Sequence, residues 1–486
     1  MMLGQDKMLI GIDVGTTAVK AALFDSEGHA LKTFGGRYAT SRPAPGHVEQ
    51  DPGAWMRLVL AALTELSEGI AHGGIAAVGL CSQVNTHVFA DAGGKALMPA
   101  MTWQDGRCAA EAARLDAQIS EAEKTGWWGA PLPIDASHVL ARMAHVQNRQ
   151  ADMWKQTRWV MAPKDYCLFH MTGVAVTDPM TAFGIVDSNL ALVPRLLQLV
   201  PGAAERLPPL ASFTQIIGKI RDGLPCAGAP MVTGAMDAWS GLFGAGVSRN
   251  GEALYLSGTS EVLGIVSSLK ASVPGVIAFP PCEGLVLHAG PTQSGGASVE
   301  WLANMLGKSP AELSELAASA DTSRPLPVFL PHLEGERAPL WDIQSRASLS
   351  GLSSAMGPAE TARAVLEGVG YSARLAMDAL EASACIRPEI IHHSGGGSVS
   401  DIWCQIRADI FGRPIRRAKT RDAGVVGAAM MAGVGAGLFP SLQEAAKSFV
   451  VPDREFEPNA REKGRHERGF ERYKLLYRQL VPFNSA

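Results

Sequence analysis

"MLIGIDVGTTAVKAALFDSEGHALKTFGGRYAT" spans residues 8–40 and reads as three strands in succession. MLIGIDV (8–14) is an apolar run of buried-strand type, GTT (15–17) is a tight turn, and AVKAALFD (18–25) is a second strand. SEGH turns the chain again, and ALKTFGGRYAT (30–40) supplies a third strand. The pattern predicts an antiparallel meander. Its first turn has a composition that suits an oxyanion. Gly15 lets backbone N–H groups approach closely, and Thr16 and Thr17 add hydroxyl donors. Glycine and threonine are also ordinary hairpin residues, so the residues alone leave a plain turn open.

Working outward, the motif has an echo. EALYLSGTSEVLGIVSS (252–268) is again strand, small-residue turn, strand, and its SGTS (257–260) parallels VGTT (14–17). A repeat at half the chain length predicts two related domains, here 1–246 and 247–486, joined near Gly246–Gly251. The length of 486 residues agrees with two cores. PGAWMRLVLAALTELSEG follows Asp51 as a capped helix, with Pro52 in its first turn, and IAAVGLCSQ is another strand.

Composition narrows the class. Apolar residues make up 47% and charged residues 19%, which excludes a disordered chain. A net charge of −4 points to neither a nucleic-acid nor a membrane partner. The opening MMLGQDKMLIGIDVG lacks the pattern of a secretory signal, and the seven scattered cysteines include no Cys-x-x-Cys. A reduced, cytoplasmic protein is the expectation.

Three further segments carry chemistry. MVTGAMDAW (231–239) sets Asp237 among apolar and small residues at the start of a helix, where a carboxylate serves as a cap or as a base. IIHHSGGGSVSDIWCQIRADIFGRPI (390–415) is a strand, a glycine turn and a helix beginning near Ser400, a place for a nucleotide's phosphates or base. Asp13, just before the first turn, is placed to hold Mg²⁺ through water. GVGYSA (368–373) imitates a dinucleotide fingerprint but lies in a helical pattern and follows no strand, so it is set aside.

Taken in order, nine segments resemble the FGGY carbohydrate kinases: GIDVGTTAVKAALFDSEGHAL, EQDPGAW, MTWQDGRCAAEAARL, MAPKDYCLFHMTG, VTGAMDAWSGLFGAGV, YLSGTSEVLG, FLPHLEGERAPLWD, RAVLEGVGYS and SGGGSVSDIWCQIRADIFGRPI. The resemblance implies an α/β fold of two actin-like (ribonuclease H-like) domains with a cleft between them, as in the sugar kinase, Hsp70 and actin superfamily. It implies ATP and Mg²⁺ as cofactors, a small sugar as partner, and a homodimer as a further expectation. By the same resemblance Asp237 is the general base. Asp13, Gly15, Thr16, Thr17, Gly258, Thr259, Gly296, Glu300, Gly395, Gly396 and Ser400 fall on ATP- and phosphate-binding positions. Asp13 and Asp237 fall on the Mg²⁺-organising positions, acting through water. Gln83, Val84, Asn85, Trp103, Asp105 and Asp237 fall around the sugar.

The sugar side departs from the family's patterns. Xylulokinases carry Gln-Met-His and glycerol kinases Gln-Arg-Glu where this chain has Gln83-Val84-Asn85. Ala238 follows Asp237, where those groups have Asn or Gln. Arg142 and His145 stand in place of a signature Lys and Trp, in the helical pattern ARMAHVQNRQADMW. His87 reads as a packing or surface residue. The motif wording is nearer to xylulokinases, which makes D-xylulose the leading acceptor. Glycerol, erythritol and ribulose remain alternatives, as does a non-catalytic actin-like ATPase or sugar sensor.

Overall fold

The computed structural model describes residues 7–271, 273–420 and 422–484. Met8–Val14 and Ala18–Phe24 pair antiparallel, and Ala30–Arg37 pairs antiparallel with the second of these. Leu9, Ile10, Ile12 and Val14 are fully buried, because the first strand is covered on both faces. The third strand is an edge, and its side chains are largely exposed. Ile75–Ser82 lies parallel to the first strand, with Asp13 opposite Cys81 and Val14 opposite Ser82. Pro230–Val232 and Ala235–Met236 both run parallel to Ile75–Ser82, and Ile216–Lys219 closes that edge antiparallel.

The second sheet repeats this order. Val286–Pro291, Glu261–Ser267 and Ala253–Ser257 form an antiparallel meander, followed by parallel Ile391–Ser394 and Ile415–Ala418. In both sheets a Gly-Thr turn joins the meander's first two strands in chain order. The echo between VGTT and SGTS is therefore topological as well as verbal.

Contacts divide the chain into two compact units. One is Met1–Gly244 with Asp422–Val450, and the other is Ala245–Arg421 with Val451–Ala486. The sequence reading places a single division at 246/247; the structure adds Asp422–Val450 to the first unit. The reason is packing. Helix Ala423–Gly435 lies against strands Met8–Val14 and Ile75–Ser82. Gly11 and Gly79 allow the approach, since a methyl at either would meet the carbonyl of Val425 or Ala428.

Helix Pro52–Ser67 is capped by Asp51, whose side chain accepts from the Gly53 N–H, and it buries Trp55, Val59, Leu63 and Leu66. The helical pattern around Arg142 forms two helices, Val139–Arg149 and Ala151–Gln156, because Gln150 leaves helical geometry (φ −141°, ψ 55°). GVGYSA lies inside helix Pro358–Ala384, where Gly368 gives room to the Phe329 backbone.

Candidate active site

Three parallel strand segments of the first unit bring the principal polar groups to one edge. Asp13 is the penultimate residue of the first strand, Gln83 follows Ser82, and Asp237 follows Met236, which pairs with Ser82. The Gln83 N–H donates to the Val14 carbonyl (3.0 Å). Ligands of α/β folds collect at such carboxyl ends of strands, where side chains converge and backbone pairing stops.

Asp237 is the first residue of helix Asp237–Gly244, and its Oδ1 accepts from the Ala238 N–H (2.8 Å). Surrounding protein and the charge of Asp13 push its carboxyl up to about 7. Burial likewise raises Asp13 to about 6, against the lowering pull of the Cys81 thiol and Lys20. Asp13 Oδ1 is buried with no hydrogen-bond partner. Gly424 leaves space beside this carboxylate; a methyl there would lie 2.8 Å from Asp13 Oδ2. The Gly424 carbonyl is held by Ser240 (2.8 Å) and the Cys81 thiol (3.4 Å).

This pair of carboxylates fits Mg²⁺. An orphaned acceptor on Asp13 and two acids raised by burial, Asp237 also by the Asp13 charge, are the condition that a divalent cation relieves. Among the described residues no group of three or more His, Cys, Asp or Glu could hold a metal. Mg²⁺ commonly takes one or two carboxylates and completes its octahedron with water and phosphate oxygens.

The first Gly-Thr turn is tied down from below. The Gly15 carbonyl accepts from the Tyr38 hydroxyl, the Thr17 carbonyl from the Tyr38 N–H (3.4 Å), and the Thr16 carbonyl from Gln50 Nε2 (2.8 Å). Thr17 stays exposed. Trp103 Nε1 donates to the Thr16 hydroxyl (3.3 Å), so a residue expected at the sugar touches one expected at the phosphates. Gln83 Nε2 donates to Gln50 Oε1 (2.7 Å), and Gln83 Oε1 is buried without a partner.

Val84 and Asn85 form the next turn, half-buried, with Asn85 at φ 50°. Asn85 Nδ2 donates to Ser137 (3.1 Å), and the Asn85 carbonyl accepts from Arg142 (2.6 Å). Arg142 is fully buried and also serves the carbonyls of Met101 (2.6 Å) and Thr102 and the ring of His87 (2.9 Å). Burial and that guanidinium hold His87 well below the usual histidine range, so His87 is packed and neutral. His145 instead meets Glu111 (3.3 Å). Asp105 is placed deeper than a free sugar ligand. Its oxygens accept from the Val48 N–H (2.7 Å) and from the Arg107 side chain (2.6 Å to Nη2), which holds its carboxyl below the usual range.

In the second unit, Gly258 and Thr259 are exposed at the SGTS turn. The N-terminus of helix Gly296–Leu306 docks on that turn: Gly296 N–H donates to the Gly258 carbonyl (2.8 Å) and Ala297 N–H to that of Thr259 (3.0 Å). Glu300 is exposed one turn further along. Gly395 adopts φ 94°, and a side chain there would strike the Ser257 carbonyl. Gly396 is exposed, and Ser400 caps helix Asp401–Phe411 by accepting from the Trp403 N–H (3.3 Å). Arg407, fully buried, joins the two turns. It pairs with Glu261 (2.6 Å) and donates to Ser257 (2.7 Å) and the Gly397 carbonyl (3.2 Å).

Residues 8–244 match the N-terminal domain model of the FGGY family of carbohydrate kinases, and residues 253–436 match its C-terminal domain model. The chain belongs to the FGGY family of carbohydrate kinases. It is 31% identical over 489 residues to the xylulose kinase of Escherichia coli (strain K12), covering 98% of this chain and 99% of that one. Two solved structures from Lactobacillus acidophilus, a ligand-bound xylulose kinase and a gluconate kinase, each superpose with a TM-score of 0.88 at 26% identity over 98% of both chains. This FGGY protein has the two-domain α/β sugar kinase fold and is an ATP-dependent carbohydrate kinase. Among its described residues no helix is long and apolar enough to cross a membrane.

Several site residues escaped the sequence reading. Gln50 belongs to EQDPGAW, and its place in that kinase motif is the signal for it. Arg407 stands in the segment SGGGSVSDIWCQIRADIFGRPI with the same signal, whereas Gly424 and Ser137 have none, because their partners are remote in the chain.

Proposed function

We propose that this FGGY kinase transfers the γ-phosphoryl group of ATP to a hydroxyl of a ketose, with D-xylulose the leading acceptor and Asp237 the general base. The supporting observation is Asp237 itself. It stands at a strand end beside Gln83, is raised to about 7, and faces the charge of Asp13.

In this reading the Asp237 carboxylate takes the acceptor hydroxyl's proton as that oxygen attacks the γ-phosphorus. The bond from phosphorus to the β–γ bridging oxygen breaks, and ADP leaves. Asp237 then returns its proton to water. A base whose pKa lies near the working pH contributes roughly 10²–10⁴ in rate. Thr16, Thr17 and Thr259 bind phosphate oxygens, and Gly296, Glu300, Gly395, Gly396 and Ser400 border the nucleotide. Gln83, Asn85 and Trp103 meet the sugar. Asp105, locked by Arg107, shapes this side from beneath. Asp13, and Asp237 through water, would hold Mg²⁺, which would supply neutralisation of the charge on the transferring group.

ADP release in a coupled assay, run across ketoses and polyols, tests the reading. D-xylulose is expected to give the highest kcat/KM. A higher value for glycerol, erythritol or ribulose would reassign the acceptor, and no sugar-stimulated turnover at all would refute the kinase assignment.

A further inference from the structure

Two amides at the acceptor edge are oriented by hydrogen-bond chains whose direction is set at the far end. The first chain ends at the Thr16 carbonyl, which only accepts. Gln50 must therefore offer it Nε2 (2.8 Å), and Gln50 Oε1 is left to receive Gln83 Nε2 (2.7 Å). The amide atom left over is Gln83 Oε1, which is buried and unpartnered. The second chain ends at the Asp135 carboxylate. Ser137 donates its one proton there (2.7 Å), so its oxygen accepts from Asn85 Nδ2 (3.1 Å), and Asn85 Oδ1 is the atom left over. Arg142 fixes the turn by holding the Asn85 carbonyl (2.6 Å). Of the guanidinium groups nearby, Arg107 is held by Glu49 and Asp105, Arg142 by backbone carbonyls and the His87 ring, and Arg42 lies against Gln104.

We propose that Gln50 and Ser137 are positioning residues that set Gln83 and Asn85 with their amide oxygens presented, so that the site takes a neutral polyhydroxy acceptor and turns away an aldonate. This rests on the reading that Gln83 and Asn85 face the sugar. Hydroxyl groups donate to such oxygens. A carboxylate has no proton to give, and it meets two amide oxygens that also have none. A polar site left without its matching partner discriminates by about a hundredfold or more.

The test compares kcat/KM for D-xylulose and D-xylonate in the full-length parent and in the Asp135→Ala, Ser137→Ala and Asn85→Ala variants. Asp135 is exposed, so its removal spares the fold while freeing the Ser137 proton to turn toward Asn85 and flip its amide. The parent is expected to favour the ketose by at least about a hundredfold. Asp135→Ala and Ser137→Ala should each cut that preference about tenfold, with the unfolding temperature and the KM for ATP at parent values. A parent that uses xylonate about as well overturns the proposal. If Asn85→Ala alters sugar KM and preference while Asp135→Ala and Ser137→Ala alter neither, the positioning role fails alone. If Asn85→Ala alters neither, Asn85 does not face the sugar and the placement of the acceptor fails with it.

Discussion

At Asp237, burial and the Asp13 charge act in the same direction, and both bear on measurable pH behaviour. The carboxyl is pushed up to about 7, and only its ionised form accepts a proton. kcat/KM should therefore rise about tenfold per pH unit below roughly 7 and level off above it. Raising Mg²⁺ should move that limb to lower pH, since a cation favours the ionised form. Asp237→Asn keeps the shape and removes the base, so kcat should fall at least about a hundredfold. Stability follows the opposite sign. The folded value lies above the ordinary 3.8, so the fold favours the protonated acid. That contribution is complete below 3.8 and lost as the pH rises through about 7. Thermal unfolding from about pH 4 to 8 should show the parent losing stability that the Asn variant keeps. Asp237 was legible in the sequence because MVTGAMDAW is local; the Asp13 charge that tunes it was not, because it arrives from another strand.

Between elements, the second Gly-Thr turn depends on a buried ion pair. Arg407 and Glu261 are both fully buried, 2.6 Å apart, and lie 146 positions apart in the chain. Arg407→Met leaves Glu261 uncompensated and should cost about 3–5 kcal/mol in urea unfolding. It should also raise the KM for ATP, because Arg407 ties Ser257 and the Gly397 carbonyl together. The double variant Glu261→Leu with Arg407→Met should cost less than either single change, since no charge is then left buried alone. Both turns were readable from glycine and threonine spacing. Their braces, Arg407 here and Gln50 in the first unit, lie inside family motifs, but the sequence does not say which remote partners they hold.

For the whole molecule, the first unit is assembled from two separate stretches of chain. Residues 8–244 alone match the N-terminal family model. Yet Val425, Val426, Met430 and Met431 of helix Ala423–Gly435 are buried, and this helix covers the strands that carry Asp13 and Cys81. A fragment of residues 1–244 should lack a cooperative unfolding transition, as followed by circular dichroism. Joining residues 422–450 through a short Gly/Ser linker should restore it, because Gly244 packs directly on Ala423. By itself the sequence determined what is local and periodic: the paired meanders, the Gly-Thr turns, the family and the carboxylate at position 237. The tertiary structure alone decided which amide hydrogens of Gln83 and Asn85 are already bonded, which partners Arg142 and Arg407 take, and that helix Ala423–Gly435 returns to the first sheet. Those outcomes depend on hydrogen-bond direction and close packing between residues far apart in the chain, and neither leaves a period or a spacing to read.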